Sequence, residues 1–265
     1  MQLRRSLPAL AAACFSLMTL SLHAEPSAPV VIAHRGASQI APENTASAIR
    51  EALRLGAKVI EFDVRATSDR ELVLFHDKEL DRVAGRPGTI EASDWATVKT
   101  FDVGKWFQNG DFTGEPVLRF DEAIRLCLEG GATPLIEHKT GEAKEYAKII
   151  RALGAEDRVI VQSFDWEFLR NFREELPGVP LGALGSKPLT PERIENLRAW
   201  KPDWVAWNFA DLLPTDVPRL REWGAKIALW TVNDPAVAKQ WVESGVQGII
   251  TDVPDRITEA LAEEG

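Results

Sequence analysis

The stretch Val59-Ile60-Glu61-Phe62-Asp63-Val64 makes two demands at once. Apolar, β-branched and aromatic residues at this density read as a strand buried on both faces, as strands of parallel sheets are. Inside it stand two carboxylates, two residues apart and therefore on the same side of the strand. Carboxylates within an apolar strand are costly to bury unpaired, so that side must face a cation or a site. Similar runs recur at Val30–His34, Pro134–Lys139, Val159–Phe164, Leu181–Leu184, Trp204–Asn208, Ile227–Val232 and Gly248–Thr251. Between them lie helical patterns at Thr45–Leu55, Asp121–Glu129, Ala143–Leu153, Trp166–Leu176, Pro191–Trp200 and Ala236–Ser244. Apolar strands alternating with amphipathic helices over about 250 residues predict an α/β fold, the closed (β/α)8 TIM barrel. A doubly wound open sheet is the structural rival. It is weakened because no glycine-rich turn follows the first strand.

One segment departs from this rhythm. Leu72–His76 follows the second strand after only Thr67-Ser68-Asp69-Arg70, too short for a parallel crossover. It must therefore return as an antiparallel hairpin. A turn centred between Asp69 and Arg70 places His76 across from Asp63, within a residue or two. Residues 78–119, rich in Gly, Asp and aromatics (Phe101, Trp106, Phe107, Phe112), fit no barrel unit and read as an insertion over one end of the barrel.

The chain opens Met1-Gln2-Leu3-Arg4-Arg5, then stays uncharged and mostly apolar from Leu7 to Leu22, and reaches Ala24. A basic start, a short apolar run and a small residue before a polar segment read as a cleaved secretory signal over 1–24. The expected location is periplasmic or secreted. The apolar run falls short of the roughly 20 residues of a membrane span, so no stable membrane anchor is expected. The 265-residue chain minus its first 24 leaves 241, read as one domain from 25 to 265. Losing Arg4 and Arg5 takes the net charge from −9 to −11. That acidity argues against nucleic acid as a partner and leaves a small molecule. Cys14 falls in the signal; Cys127, alone afterwards, cannot form an intramolecular disulfide and reads as a buried helix residue.

The polar residues that need explaining sit where strands end: His34 and Arg35 after the first, Glu61 and Asp63 on the second, Glu137 and Lys139 on the third. In a barrel these ends share the face that carries the active site. Glu137 and Lys139 share a side, so His138 points the other way, into the helical layer, as a structural residue. Glu61, Asp63 and Glu137 would repel one another without a cation, and oxygen-only ligands suit one divalent Mg2+ or Ca2+ ion. Three carboxylates and a divalent ion leave −1, so an anionic substrate also needs Arg35 and Lys139. His34 and His76 can then divide the proton transfers.

These residues carry a resemblance. His34-Arg35-Gly36-Ala37, Pro42-Glu43-Asn44-Thr45, Glu61-Phe62-Asp63-Val64, Thr67 with Asp69, and His76-Asp77 follow the glycerophosphodiester phosphodiesterase pattern, within the PLC-like phosphodiesterase superfamily. Leu135-Ile136-Glu137-His138-Lys139, Gln162-Ser163-Phe164, Trp230-Thr231-Val232-Asn233 and Thr251-Asp252 continue it in order. The resemblance implies metal-dependent hydrolysis of glycerophosphodiesters to glycerol 3-phosphate and an alcohol. It implies His34 and His76 as the acid–base pair, Arg35 and Lys139 on phosphate, and Glu61, Asp63 and Glu137 on the metal. It also implies an internal nucleophile, the neighbouring glycerol hydroxyl, giving a cyclic phosphate that water opens. Gln247 stands where the family often has an acid, and His138 where it usually has an aliphatic residue.

Blander readings apply to several residues. Asn44 is a good helix N-cap. Most of the nine Trp belong to packing, with Trp230 and Phe164, at strand ends, placed beside substrate. Two rival functions remain at this stage: a phospholipase D-like lyase releasing cyclic phosphates, and a non-catalytic binding protein on the same barrel. The lyase relies on a disulfide-tied loop that Cys127 alone cannot supply, and a complete ionic set speaks against the binder.

Overall fold

The computed structural model describes residues 28–262, and the expected signal lies outside them. In chain order the elements are β1 Val30–Ala33, α1 Ala46–Arg54, β2 Val59–Ala66, β3 Leu72–Leu74, α2 Asp81–Ala84, α3 Trp95–Val98, α4 Phe120–Glu129, β4 Thr133–His138, α5 Ala143–Ala152, β5 Ile160–Ser163, α6 Trp166–Glu175, β6 Leu181–Gly185, α7 Pro191–Trp200, β7 Trp204–Asn208, α8 Asp216–Arg221, β8 Lys226–Trp230, α9 Pro235–Glu243, β9 Gly248–Thr251 and α10 Pro254–Ala262. The sheet order is β1-β9-β8-β7-β6-β5-β4-β2, all parallel, and β1 pairs with β2 to close the ring. This is a TIM barrel, as the strand–helix alternation predicts. Among the described residues no helix is long and apolar enough to cross a membrane.

Alternation along each strand divides the molecule into layers. Ile60, Phe62 and Val64 of β2 point outward and pack with Ile49 of α1 and Phe120 and Ile124 of α4. Inward-facing Ile32, Leu135, Leu184, Ala206, Ala228 and Ile250 fill the barrel interior. Above this apolar layer the inward positions turn ionic: Glu61 and Asp63 on β2, Glu137 on β4 and, just past β1, His34. Gln247 lies before β9, where its side-chain oxygen accepts the Ile227 N–H at 2.9 Å, a structural duty far from the ionic layer.

The hairpin forms as expected, but its register is centred on Asp69: Val64 pairs with Leu74 and Ala66 with Leu72. The Phe75 N–H donates to the Asp63 carbonyl at 3.1 Å, so Phe75, rather than His76, is opposite Asp63. Strand pairing ends at Leu74, and β2 runs two residues beyond the expected Val64 because β3 pairs with its extension. The Asp69 carboxylate accepts the Thr67 hydroxyl at 2.6 Å and the Trp95 N–H at 2.9 Å, tying the turn to the insertion. The insertion has its own apolar cluster, with Leu80, Val83, Ile90, Val98 and Phe101 packed on Val73 and Phe75. Two short helices, α8 and α10, complete barrel units that the sequence pattern did not mark. Cys127 is fully buried in α4, and burial pushes its thiol up to about 12.

Candidate active site

Parallel pairing of β2 with β4 sets Asp63 beside Glu137. With Glu61 one pleat below Asp63, ligand oxygens of the three carboxylates lie within 4.8 Å of one another, all buried. Two cations reach them. Arg35 follows β1 in a left-handed conformation (φ 55°), which aims its N–H at the Glu61 carboxylate, 2.9 Å away. Its Nε lies 3.2 Å from Asp63 Oδ2, and its Nη1 donates to Glu43 at 2.9 Å. Gly36 continues the turn at φ 84°; a Cβ there would stand 2.6 Å from the Ala48 backbone, so only glycine lets this loop lie on α1. Lys139, one residue beyond β4, places Nζ 3.1 Å from Asp63 Oδ1 and against Glu137.

Asn44 corrects one expectation. The N-cap of α1 is Thr45, whose hydroxyl accepts the Ala48 N–H. Asn44 instead sits at φ 59°, a conformation Asn tolerates better than most residues. Its amide donates to Asp63 Oδ2 at 2.8 Å and accepts the Asp63 N–H at 2.9 Å. Asn44 is therefore a clamp on Asp63. Non-glycine residues held at positive φ cost of order 1–3 kcal/mol each, and both Arg35 and Asn44 are fixed to the same carboxylate.

Three carboxylates facing two cations leave one negative charge shielded from water. Burial, then the charges of Asp63 and Glu137, drive Glu61 well above the ordinary carboxylate value. Burial and the Asp63 charge, against Lys139, push Glu137 up to about 7. For Asp63 burial acts in the same direction, but Lys139 and Arg35 outweigh it and hold the group below its usual range. Glu61 Oε1 is buried with no hydrogen-bond partner. An oxygen-only trio with an orphaned lone pair and surplus negative charge fits a hard divalent cation.

Both strand-end histidines are oriented by carboxylates. His34 Nδ1 lies 2.7 Å from Asp252 Oδ1, and Asp252 also accepts from Ser38 at 3.0 Å and Asn233 at 2.7 Å. These contacts outweigh burial and hold Asp252 down at about 2. His76 Nδ1 lies 2.7 Å from Asp77 Oδ1. Arg82 of α2 donates to Asp77 at 2.6 Å and to Glu43 at 2.9 and 2.7 Å, and Asp77 too is held at about 2, against burial, by Arg82 and His76. Glu43, His76 and Asp77 also cluster closely enough to ligate a metal, but the Arg82 guanidinium already serves as their cation. Burial, the leading cause, lowers the pKa of His76 below the ordinary imidazole value. With Nδ1 of each ring committed to a carboxylate, Nε2 is the atom left for chemistry.

His34, Arg35, Glu61, His76, Glu137 and Lys139 line one cavity of about 90 Å³, with Phe164 and Trp230 on its far side. Phe164 and Trp230 meet edge to face at 5.5 Å. Asp63 lies beneath, reached through Arg35 and Lys139. A larger open groove of about 490 Å³ lies outside the barrel beside α5 and α6 and contains none of these groups. There His138 stacks on Phe168 at 3.5 Å, bonded to Ser163 and Gly141, and burial lowers its pKa to about 4. It faces the helical layer, as its position between Glu137 and Lys139 requires.

Sequence reasoning assigned no role to Asp77, Glu43, Arg82, Asp252 or Asn233. His76-Asp77 and Thr251-Asp252 were visible as pairs at strand or hairpin ends. Arg82, inside an irregular insertion, carried no signal.

Comparison with known proteins agrees with this geometry. The profile of the "Glycerophosphoryl diester phosphodiesterase family" matches residues 34–256. A glycerophosphodiester phosphodiesterase of Caldanaerobacter subterraneus is 31% identical over 242 residues, 89% of this chain and 99% of the relative. A solved Oleispira antarctica phosphodiesterase, in complex with the product sn-glycerol-3-phosphate, superposes with a TM-score of 0.83 at 25% identity, covering 88% of this chain and 97% of that one. A glycerophosphodiester phosphodiesterase structure from Agrobacterium tumefaciens gives a TM-score of 0.75 at 27% identity, covering 87% and 99%.

Proposed function

This chain belongs to the glycerophosphoryl diester phosphodiesterase family, and from that premise we propose that it hydrolyses glycerophosphodiesters to glycerol 3-phosphate and an alcohol by paired histidine catalysis. The observation that carries the reading is the shared cavity in which His34 and His76, each backed by a carboxylate, face Arg35, Lys139, Glu61 and Glu137, with Asp63 beneath.

In the first half-reaction His34 takes the proton of the glycerol hydroxyl beside the phosphate, and that oxygen attacks phosphorus. The bond to the departing alcohol breaks, and His76 supplies the proton the alkoxide needs. In the second half the roles reverse: His76 deprotonates water, water adds to the cyclic phosphate, and His34 returns its proton to the ring oxygen. Asp77, bound to Nδ1, supports the donor role by favouring the protonated ring, with Nε2 facing the departing oxygen. Asp252 supports the base role by stabilising the imidazolium that forms on His34. Arg35 and Lys139 are placed to meet phosphoryl oxygens, the first as a fork and the second as a point charge. Glu61, Asp63 and Glu137 would hold a single Mg2+ or Ca2+ ion, which when bound supplies charge neutralisation and polarisation of the phosphoryl oxygen. Phe164 and Trp230 flank the same cavity and would bound the substrate on its far side.

Phosphorus NMR on glycerophosphocholine turnover tests this directly. Accumulation of glycerol 3-phosphate, with any cyclic phosphate transient, is the expected result. A terminal cyclic phosphate would overturn hydrolysis in favour of a lyase.

A further inference from the structure

The ionic cavity, at about 90 Å³, is well below the roughly 300–1,000 Å³ of pockets that enclose whole organic ligands. Half of a diester must therefore lie outside it. A second cavity, of about 330 Å³, adjoins it at the same end of the barrel and shares Phe164 and Leu184 as a common wall. We propose that this second cavity is the subsite for the departing alcohol, and that it selects alcohols carrying an acidic group of their own, a phosphate or a carboxylate. The inference rests on the phosphodiesterase reading above and names the substrate class for that same site.

The walls are aromatic and cationic. Trp166 and Trp207 face the space, and their indole N–H groups are already spent on the carbonyls of Leu184 and Lys187, at 2.9 and 3.0 Å. Gly185 lets Trp207 lie flat against β6, because a Cβ there would stand 2.0 Å from the indole ring. Among the described residues neither cation of the cavity, Lys187 or Arg193, has an ion-pair partner, and no carboxylate lines the space. Asp211, which does not line the cavity, accepts the Lys187 backbone N–H at 2.8 Å. Arg193 is fixed in place by the carbonyls of Ser186, Lys187 and Pro188, at 2.8, 3.3 and 3.2 Å, and its guanidinium lies 6.0 Å over the Trp207 ring.

That last contact decides the ligand class. An aromatic wall alone would suit a quaternary ammonium head group. Here the chain itself supplies the cation over Trp207, and a second cation stands on the same wall. A choline moiety would meet like charge, whereas an acidic head group would meet two cations that no lining carboxylate neutralises. Near a protein surface one unit-charge interaction changes binding by roughly tenfold.

The test compares kcat/KM on three diesters: glycerophosphocholine, glycerophosphoglycerol, whose departing alcohol is uncharged, and glycerol phosphate esterified to a second glycerol phosphate. The acidic diester should lead choline by about tenfold or more, and the advantage should shrink in 0.5 M salt. In Lys187→Glu, and more weakly in Arg193→Gln, the acidic-to-choline ratio should fall by about tenfold. The salt response of the unaltered enzyme reads the same charge effect should either variant fail to fold. A choline preference, or a ratio unmoved by both salt and Lys187→Glu, overturns the subsite. Absence of glycerol 3-phosphate from all three diesters overturns the phosphodiesterase reading itself, and the subsite with it.

Discussion

The two sides of the barrel mouth are made of different chemistry. From β1 through β4, together with the β2–β3 hairpin, nearly every inward group is ionic: His34, Arg35, Glu61, Asp63, His76, Glu137 and Lys139. From β5 through β8 the walls are mainly aromatic, with Phe164, Trp166, Trp207 and Trp230, joined by the cations Lys187 and Arg193 after β6. The ionic side is over-determined, each charge held by at least one neighbour and Asp63 by three. The aromatic side is held through indole N–H bonds of Trp166, Trp207 and Trp230 to backbone carbonyls. The difference separates the division of labour: chemistry on one side, shape and selection on the other. Substitutions should therefore act on kcat on the first side and on KM on the second.

The largest effects are expected on the ionic side. His34→Ala and His76→Ala should each lower kcat by about 10²–10⁴-fold with unchanged circular dichroism. A variant of either that keeps near-normal turnover removes that histidine from the acid–base pair. A smaller loss, about 10–10²-fold in kcat, is expected for Arg82→Gln and Asp77→Asn, which loosen the support behind His76. Ionised Asp77 favours protonated His76, so Asp77→Asn should shift the His76 limb of the pH–rate profile to lower pH. Asp77→Glu should partly restore it. An unmoved limb would make the Arg82–Asp77 contact merely structural.

On the aromatic side, Phe164→Ala should raise KM by about three- to tenfold and leave kcat within about twofold. Phe164 is 48% exposed, so its removal leaves no cavity in the core. A loss confined to kcat would place Phe164 with the chemistry and break the contrast.

How far this organisation could be read in the sequence depends on how local each signal is. The barrel was legible because strand burial writes itself into runs such as Val59–Val64, and because inward positions two apart must share a fate. Glu61, Asp63, Glu137 and Lys139 were legible for the same reason, being charges where burial forbids them. The hairpin followed from loop length alone, and its register, centred on Asp69, falls within one residue of the expected one. Asn44 was misread as a cap because an Asn before a helix has two outlets for its amide, and only the fold brings Asp63 within reach. Asp252, 218 residues from His34, and Arg82, in a segment without periodicity, acquire meaning only through tertiary contact.

His138 extends the comparison to a histidine outside both regions, with the smallest expected effect on turnover. Its pKa is about 4 in the folded chain against about 6.5 unfolded, so between these values the unfolded state binds more protons. Its contribution is complete above pH 6.5 and is lost as pH falls toward 4, by on the order of 3 kcal/mol. His138→Leu should flatten urea midpoints measured across that window. An identical acid loss in the variant would assign the lability elsewhere.

The account turns on the acidic trio as a cation site, and chelation followed by metal add-back measures it most directly. Glycerol 3-phosphate release should vanish with chelator and return with Mg2+ or Ca2+, the midpoint for metal rising as pH drops through about 7, where Glu137 takes up its proton. Asp63→Asn should need far more metal. Full activity in the chelated enzyme, or an identical metal midpoint in Asp63→Asn, would contradict it.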